Sequence, residues 1–131
     1  MKPKTTLTIT AFFGLVFSLV MFVAPEFITR EQFPNSEGQG FTDLVTVRYA
    51  IASLILALVI ITYHLRNIEG LAFQANITRG YTLAFSVVCI TTLVLQISGK
   101  ISAVPPIVGT GLVAALSFFS WRSLAKDSDQ K

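Results

Sequence analysis

The chain has 131 residues, of which 53% are hydrophobic and only 13% charged, with a mean hydropathy of +0.68; a soluble domain carries about 25% charged residues, so part of this chain's solvent is lipid. The formal net charge of +3 is too small and too scattered for a nucleic-acid surface. A single cysteine (Cys89) and a single histidine (His64) exclude an intrachain disulfide, a cysteine metal site and a bis-histidine haem within one chain.

Four apolar runs divide the chain: Leu7–Ala24, Leu44–Tyr63, Tyr81–Ile97 and Ile101–Trp121. Each approaches the roughly 20 residues that cross the hydrocarbon of a bilayer as a helix. Lipid offers no partner to open backbone groups, so helices are the expected form. The expected fold is therefore an all-α integral membrane protein. It is a single domain over residues 1–131, an antiparallel bundle of four transmembrane helices.

The first run follows a basic start, "MKPK", and ends in "FVA", like a secretory signal. It is longer than a usual signal core, and Phe22 occupies a position where cleavage wants a small residue, so it reads as a retained helix. Gly14 and Ser18 give it a face that a neighbouring helix can approach closely.

The segment 25–43 follows, with four of the chain's seven acids: Glu26, Glu31, Glu37 and Asp43. Pro25 suits a first helical position, Glu26 suits a helix start, and Glu26 and Arg30 are spaced for pairing. "PEFITREQF" thus predicts a short interfacial helix, with Phe27, Ile28 and Phe33 toward the membrane and Pro34 as the stop. "PNSEGQG" is turn chemistry, Thr42 is placed to cap the second span, and Asp43 falls in its first turn.

The second span holds Arg48, the one charge inside a hydrophobic window, six residues beyond Thr42 and about 9 Å along the axis. Two readings stand. Arg48 snorkels to the headgroups as an anchor, or it is buried against Glu26 or Asp43 and clasps the first two spans. Glu26, Arg30, Asp43 and Arg48 are the resulting candidates for a structural clasp or docking site. Ser53 and Ala57 offer a second small-residue face. At the far end, His64 beside Tyr63 reads as a half-solvated interfacial residue. Its alternative role is a lone axial ligand to a metal, haem or chlorophyll. No cofactor and no metal are otherwise expected.

The connector "HLRNIEGLAFQANITR" is weakly amphipathic and reads as a helix end followed by an interface-lying turn. Asn76-Ile77-Thr78 matches a glycosylation pattern but lies against a span. The third span carries no charge, only Thr91, Thr92 and Gln96 among its polar groups, and Cys89 reads as a small core residue. In the fourth, Pro105-Pro106 predicts either a kink or a helix that starts at Pro105. Gly111 and Ala115 offer a third close-approach face, and Gly109-x-Gly111 lacks the strand context of a nucleotide loop. Residues 122–131 form a tail.

Seven of the ten basic side chains (Lys2, Lys4, Arg66, Arg79, Arg122, Lys126, Lys131) collect on one side; Arg30, Arg48 and Lys100 lie on the other. The positive-inside rule then places both termini in the cytoplasm. The expected location is a bacterial inner membrane.

The order "FFGLVFSLVMFVAPEF", a glycine-containing loop, "VRYAIASLILAL", a shorter third span and "VPPIVGTGLVAAL" resembles the small four-helix bacterial membrane proteins of the DoxX-like group, a family of unknown function. The resemblance covers most of the chain and rests on Gly14, Pro25, Arg48 and Pro106. Gly109 and Thr110 stand where members of that group often carry an acid. The resemblance implies a four-helix bundle and brings no activity with it.

No catalytic site is evident. The expected role is an accessory or structural subunit of a larger membrane complex, docking through its helix faces and acidic loop. Its partners are the bilayer and other membrane subunits or further copies, with no nucleic acid. The alternative is a small homo-oligomeric transporter or channel. Four-helix drug exporters resemble the outline but use a glutamate in the first helix, which this chain lacks. The fragment "HLRNIEG" resembles the His, Asn and Glu cluster of membrane glutathione transferases, but those have one span before it and three after, where this chain has two and two.

Overall fold

The computed structural model describes residues 2–128, with side chains described through residue 125. Five helices follow in order: α1 (Pro3–Val23), α2 (Pro25–Gln32), α3 (Gly38–Leu65), α4 (Leu71–Ile97) and α5 (Val104–Ser128). Four of them, all but α2, are long and apolar enough to cross a membrane. The expected all-helical architecture with four long apolar helices is thus present.

The long helices outrun the apolar windows. α3 begins at Gly38 and α4 at Leu71, well before the hydrophobic runs at Leu44 and Tyr81. Hydropathy marks only the stretch that must sit in hydrocarbon, whereas a helix continues until something breaks it. Nothing between Leu71 and Tyr81 does: Gly80 is tolerated inside a helix at about 1 kcal/mol. The connector therefore splits differently from expectation. Its turn is confined to residues 66–70, and Leu71 onward belongs to α4. Gly70, at φ +101°, makes that turn, and Gly99, at φ +70°, makes the next; both angles are costly for any residue with a Cβ.

Thr42 consequently does not cap α3. It lies inside the helix, and its hydroxyl donates to the Gly38 carbonyl at 3.3 Å. Thr46 does the same to Thr42 at 3.0 Å. In α2 the expectations hold locally. Pro25 opens the helix, Glu26 lies in its first turn, and it ends at Gln32 ahead of Pro34. Of the two readings for the fourth span, the helix starts at the proline pair: α5 opens Val104-Pro105-Pro106. Missing N–H groups cost nothing there, because first-turn donors have no helical partner. α5 also runs on through Arg122 to Ser128, so most of the expected tail is helix; residues 129–131 lie outside the described residues.

The packing is pairwise. α1 lies along α3 and α4 along α5, with α1 touching α5 to join the pairs. α3 and α4 have no extended packing between them. The largest fully buried side chains are Thr6, Ser18, Thr29, Thr78, Ser117 and Ser120, while Phe12, Leu54, Val87, Ile90 and Phe119 face outward. This inverts the soluble pattern. With lipid outside, apolar bulk gains nothing by hiding, and small residues let backbones come close.

The Ser18 hydroxyl crosses from α1 to the Ala52 carbonyl of α3 at 2.8 Å, in a buried site. Close by, a Cβ on Gly14 would stand 2.7 Å from Val59 Cγ2. The small face of α1 is therefore used. On α3 its counterpart is the fully buried Ala52, and the expected Ser53 and Ala57 are exposed instead. On α5, Gly111 meets Cys89, whose thiol lies 3.6 Å from the Ile107 carbonyl, and Ala115 is exposed.

Candidate functional site

Arg48 stands ten residues into α3, about 15 Å from its start at the helical rise. That is a turn deeper than a helix beginning at Thr42 would place it. The side chain is 6% exposed, so the protein encloses it and it does not reach out as an anchor. Its Nη2 donates to Gln32 Oε1 at 2.6 Å, and the guanidinium lies 5.5 Å from the centre of the Phe33 ring. Both partners come from the last turn and C-cap of α2.

The expected carboxylate partners do not take part. Asp43 precedes Arg48 by five residues, which puts it about 140° around the same helix, on another face. It accepts instead from Gln39 Nε2 at 2.8 Å. Glu26 is six residues before Gln32 and about 120° away around α2; it is exposed, as are Glu31, Glu37 and Asp43. Arg30 is exposed too, and its guanidinium lies 4.8 Å from the centre of the Phe41 ring at the foot of α3. Two cations therefore hold α2 and α3 together, each against an aromatic ring and one against an amide, while the acids remain on the surface. An amide suits a buried cation: it supplies a strong acceptor without requiring a second charge to be desolvated.

Sequence reading missed Gln32 and Phe33. Their signal was faint: a polar and an aromatic residue directly before the helix-stopping Pro34. Only the register of α2 against α3 gives them a role. The same end of the molecule carries a further tie, because the Ser102 N–H donates to the Gln32 carbonyl at 2.9 Å. Gln96 Oε1 accepts from the Ala103 N–H, closing the α4–α5 turn.

Away from this end, Thr62 donates to the Leu58 carbonyl at 2.6 Å, and its hydroxyl meets that of Tyr81 on α4. Arg66 lies 3.6 Å over the Tyr63 ring, and Arg79 lies 5.7 Å from the Trp121 ring. His64 is exposed, with Nδ1 2.8 Å from the Ile60 carbonyl of its own helix. Among the described residues, no three of His, Cys, Asp and Glu gather in a metal-binding group.

Between the helix pairs lies an apolar cavity of about 580 Å³, lined from α1, α2, α3, α4 and α5. Among the described residues, Thr10 and Thr62 are the only hydroxyl-bearing ones on its wall, and no ionisable side chain lines it. No family model, no curated protein and no solved structure matches the chain.

Proposed function

We propose that this chain is an accessory or structural subunit of a larger membrane complex, with no catalytic step of its own. In this reading the four long helices form an antiparallel bundle in a bacterial inner membrane. Both termini are cytoplasmic, and α2 lies in the opposite interface. The outline that resembles the DoxX-like group fits this plan and brings no activity with it.

One observation carries the reading: among the described residues, no ionisable side chain lines the cavity between the helix pairs. Coupled transport needs a charge or proton site at membrane depth, and such residues are functional when present. The buried charge of the spans, Arg48, is occupied by Gln32 and Phe33. What remains free for partners is the surface, namely the exposed acids of the α2 segment and the exposed Ser53 and Ala57 of α3.

The test is extraction from native membranes in mild detergent, followed by native electrophoresis and size-exclusion chromatography. A stoichiometric partner subunit is expected. It should be released when Glu31 and Glu37 are both changed to Lys. A homo-oligomer that moves cations in liposomes would overturn the proposal.

A further inference from the structure

We propose that the cavity between the helix pairs binds one acyl chain of an anionic phospholipid, whose head sits in the recess beside Lys100. Three observations lead there. First, the volume of about 580 Å³ falls within the roughly 300–1,000 Å³ of ligand sites, and its wall is apolar. Thr10 and Thr62 offer water only two hydroxyls on that wall, too few to fill the volume with solvent, and an empty space would cost the lining its dispersion contacts. Second, the wall combines residues of both pairs, such as Val59 on α3 and Phe85 on α4, while α3 and α4 have no extended packing. That unpacked flank faces the bilayer and gives a hydrocarbon chain a sideways route in.

Third, beyond the α2 end of the cavity lies a recess of about 330 Å³, walled by 32–36 and 99–102, where Gln32, Asn35, Ser36, Lys100 and Ser102 supply polar groups among apolar ones. Ile28 borders the cavity and Gln32 the recess, one turn apart on α2; Pro105 and Ser102 repeat the relation on the other wall. Among the described residues, the lining of the recess has one charged side chain, Lys100, and no carboxylate. An amphiphile with an apolar tail and a negative head matches both volumes in order. The site is independent of the accessory role, since it concerns the interior and not the docking surface.

Gly109 supplies the test. It borders the cavity, and a Cβ built there meets nothing within 4 Å, so a larger side chain extends into open space. The protein is delipidated in detergent and offered phosphatidylglycerol or phosphatidylcholine with identical chains. Native mass spectrometry then counts retained lipid. One phosphatidylglycerol per chain is expected, with Gly109→Leu lowering its affinity by about tenfold or more. Leu112→Phe, a second filling change at another wall position, should act in the same direction. Circular dichroism checks that each variant keeps its helix content. Lys100→Gln should remove the preference for the anionic head and leave chain binding in place. Retention that is unchanged in both folded filling variants overturns the site. Equal retention of the two lipids by the parent protein overturns the head-group assignment.

Discussion

Replacing Gln32 by Met keeps the length of the side chain and removes its carbonyl. Arg48, 6% exposed in the parent protein, then loses its bond to Gln32 and keeps the Phe33 ring. Two scales apply. Side-chain hydrogen bonds inside membrane proteins average about 0.6 kcal/mol in double-mutant cycles, whereas a bond to a charged group contributes about 1.5–3 kcal/mol. The second governs, because the 2.6 Å bond is charge-assisted and partly buried. With the Phe33 contact retained, the lower half of that range, about 1.5–2 kcal/mol, is the expected loss. Arg48→Met should cost less, about 1 kcal/mol, since Gln32 is only half-buried and can turn toward water. Adding Gln32→Met to Arg48→Met should then cost almost nothing more. Equilibrium unfolding in mixed micelles with increasing sodium dodecyl sulfate gives all three numbers. Additive losses, or a Gln32→Met variant as stable as the parent, would refute the assignment of Gln32 as the arginine's holder.

Three further changes probe the rest of the frame. Gly14→Ala should destabilise the α1–α3 pair, because the new methyl meets Val59 Cγ2 at 2.7 Å. Overpacking of about 1–3 kcal/mol outweighs the roughly 1 kcal/mol gained in helix propensity, and Val59→Ala in the same chain should restore stability in the same unfolding assay. Gln96→Leu leaves the Ala103 N–H without its acceptor. It should cost about 1–3 kcal/mol and speed hydrogen exchange at that amide. Tyr81→Phe should cost no more than about 0.6 kcal/mol, because Thr62 keeps its bond to the Leu58 carbonyl; a larger loss on thermal denaturation would give the hydroxyl pair a greater role than this.

The four long apolar helices were legible because hydrocarbon imposes one strong rule on sequence, and Leu7–Ala24 and its three counterparts obey it. Their ends were less legible. Thr42 looked like a cap because Ser and Thr cap helices often, yet α3 starts four residues earlier at Gly38, whose φ of +57° suits glycine, and the Thr42–Gly38 and Gln39–Asp43 bonds lie in its first turns. The small-residue faces were half legible. Gly14 and Ser18 are used, but the partner face on α3 is Ala52, one residue before Ser53 and about 100° away around the helix. Spacing alone identifies a stripe and cannot say which stripe a neighbour covers. Arg48 stood out as the lone intramembrane charge, and its acids were named by proximity in sequence. Helical phase alone argues against Asp43 as its partner, whereas finding Gln32 needed the docking of α2, which no periodicity encodes.

Gln32 has a wider consequence than its single bond to Arg48. Its side chain reaches α3, and its backbone carbonyl accepts from Ser102 in the turn before α5. One residue therefore connects the α1–α3 pair to the α4–α5 pair at this end, in addition to the packing of α1 on α5. The two links are separable. Gln32→Met breaks the first and leaves the second, because the carbonyl belongs to the main chain. If the pairs are held together here chiefly through that carbonyl, the variant should lose stability without opening the cavity, and lipid retention should stay at the parent's level. If the side-chain link sets the spacing of the pairs, retention should fall together with stability. The position of Gln32 at the wall of the recess, one turn from Ile28 at the cavity, makes that comparison a direct reading of how the α2 segment governs the space between the spans.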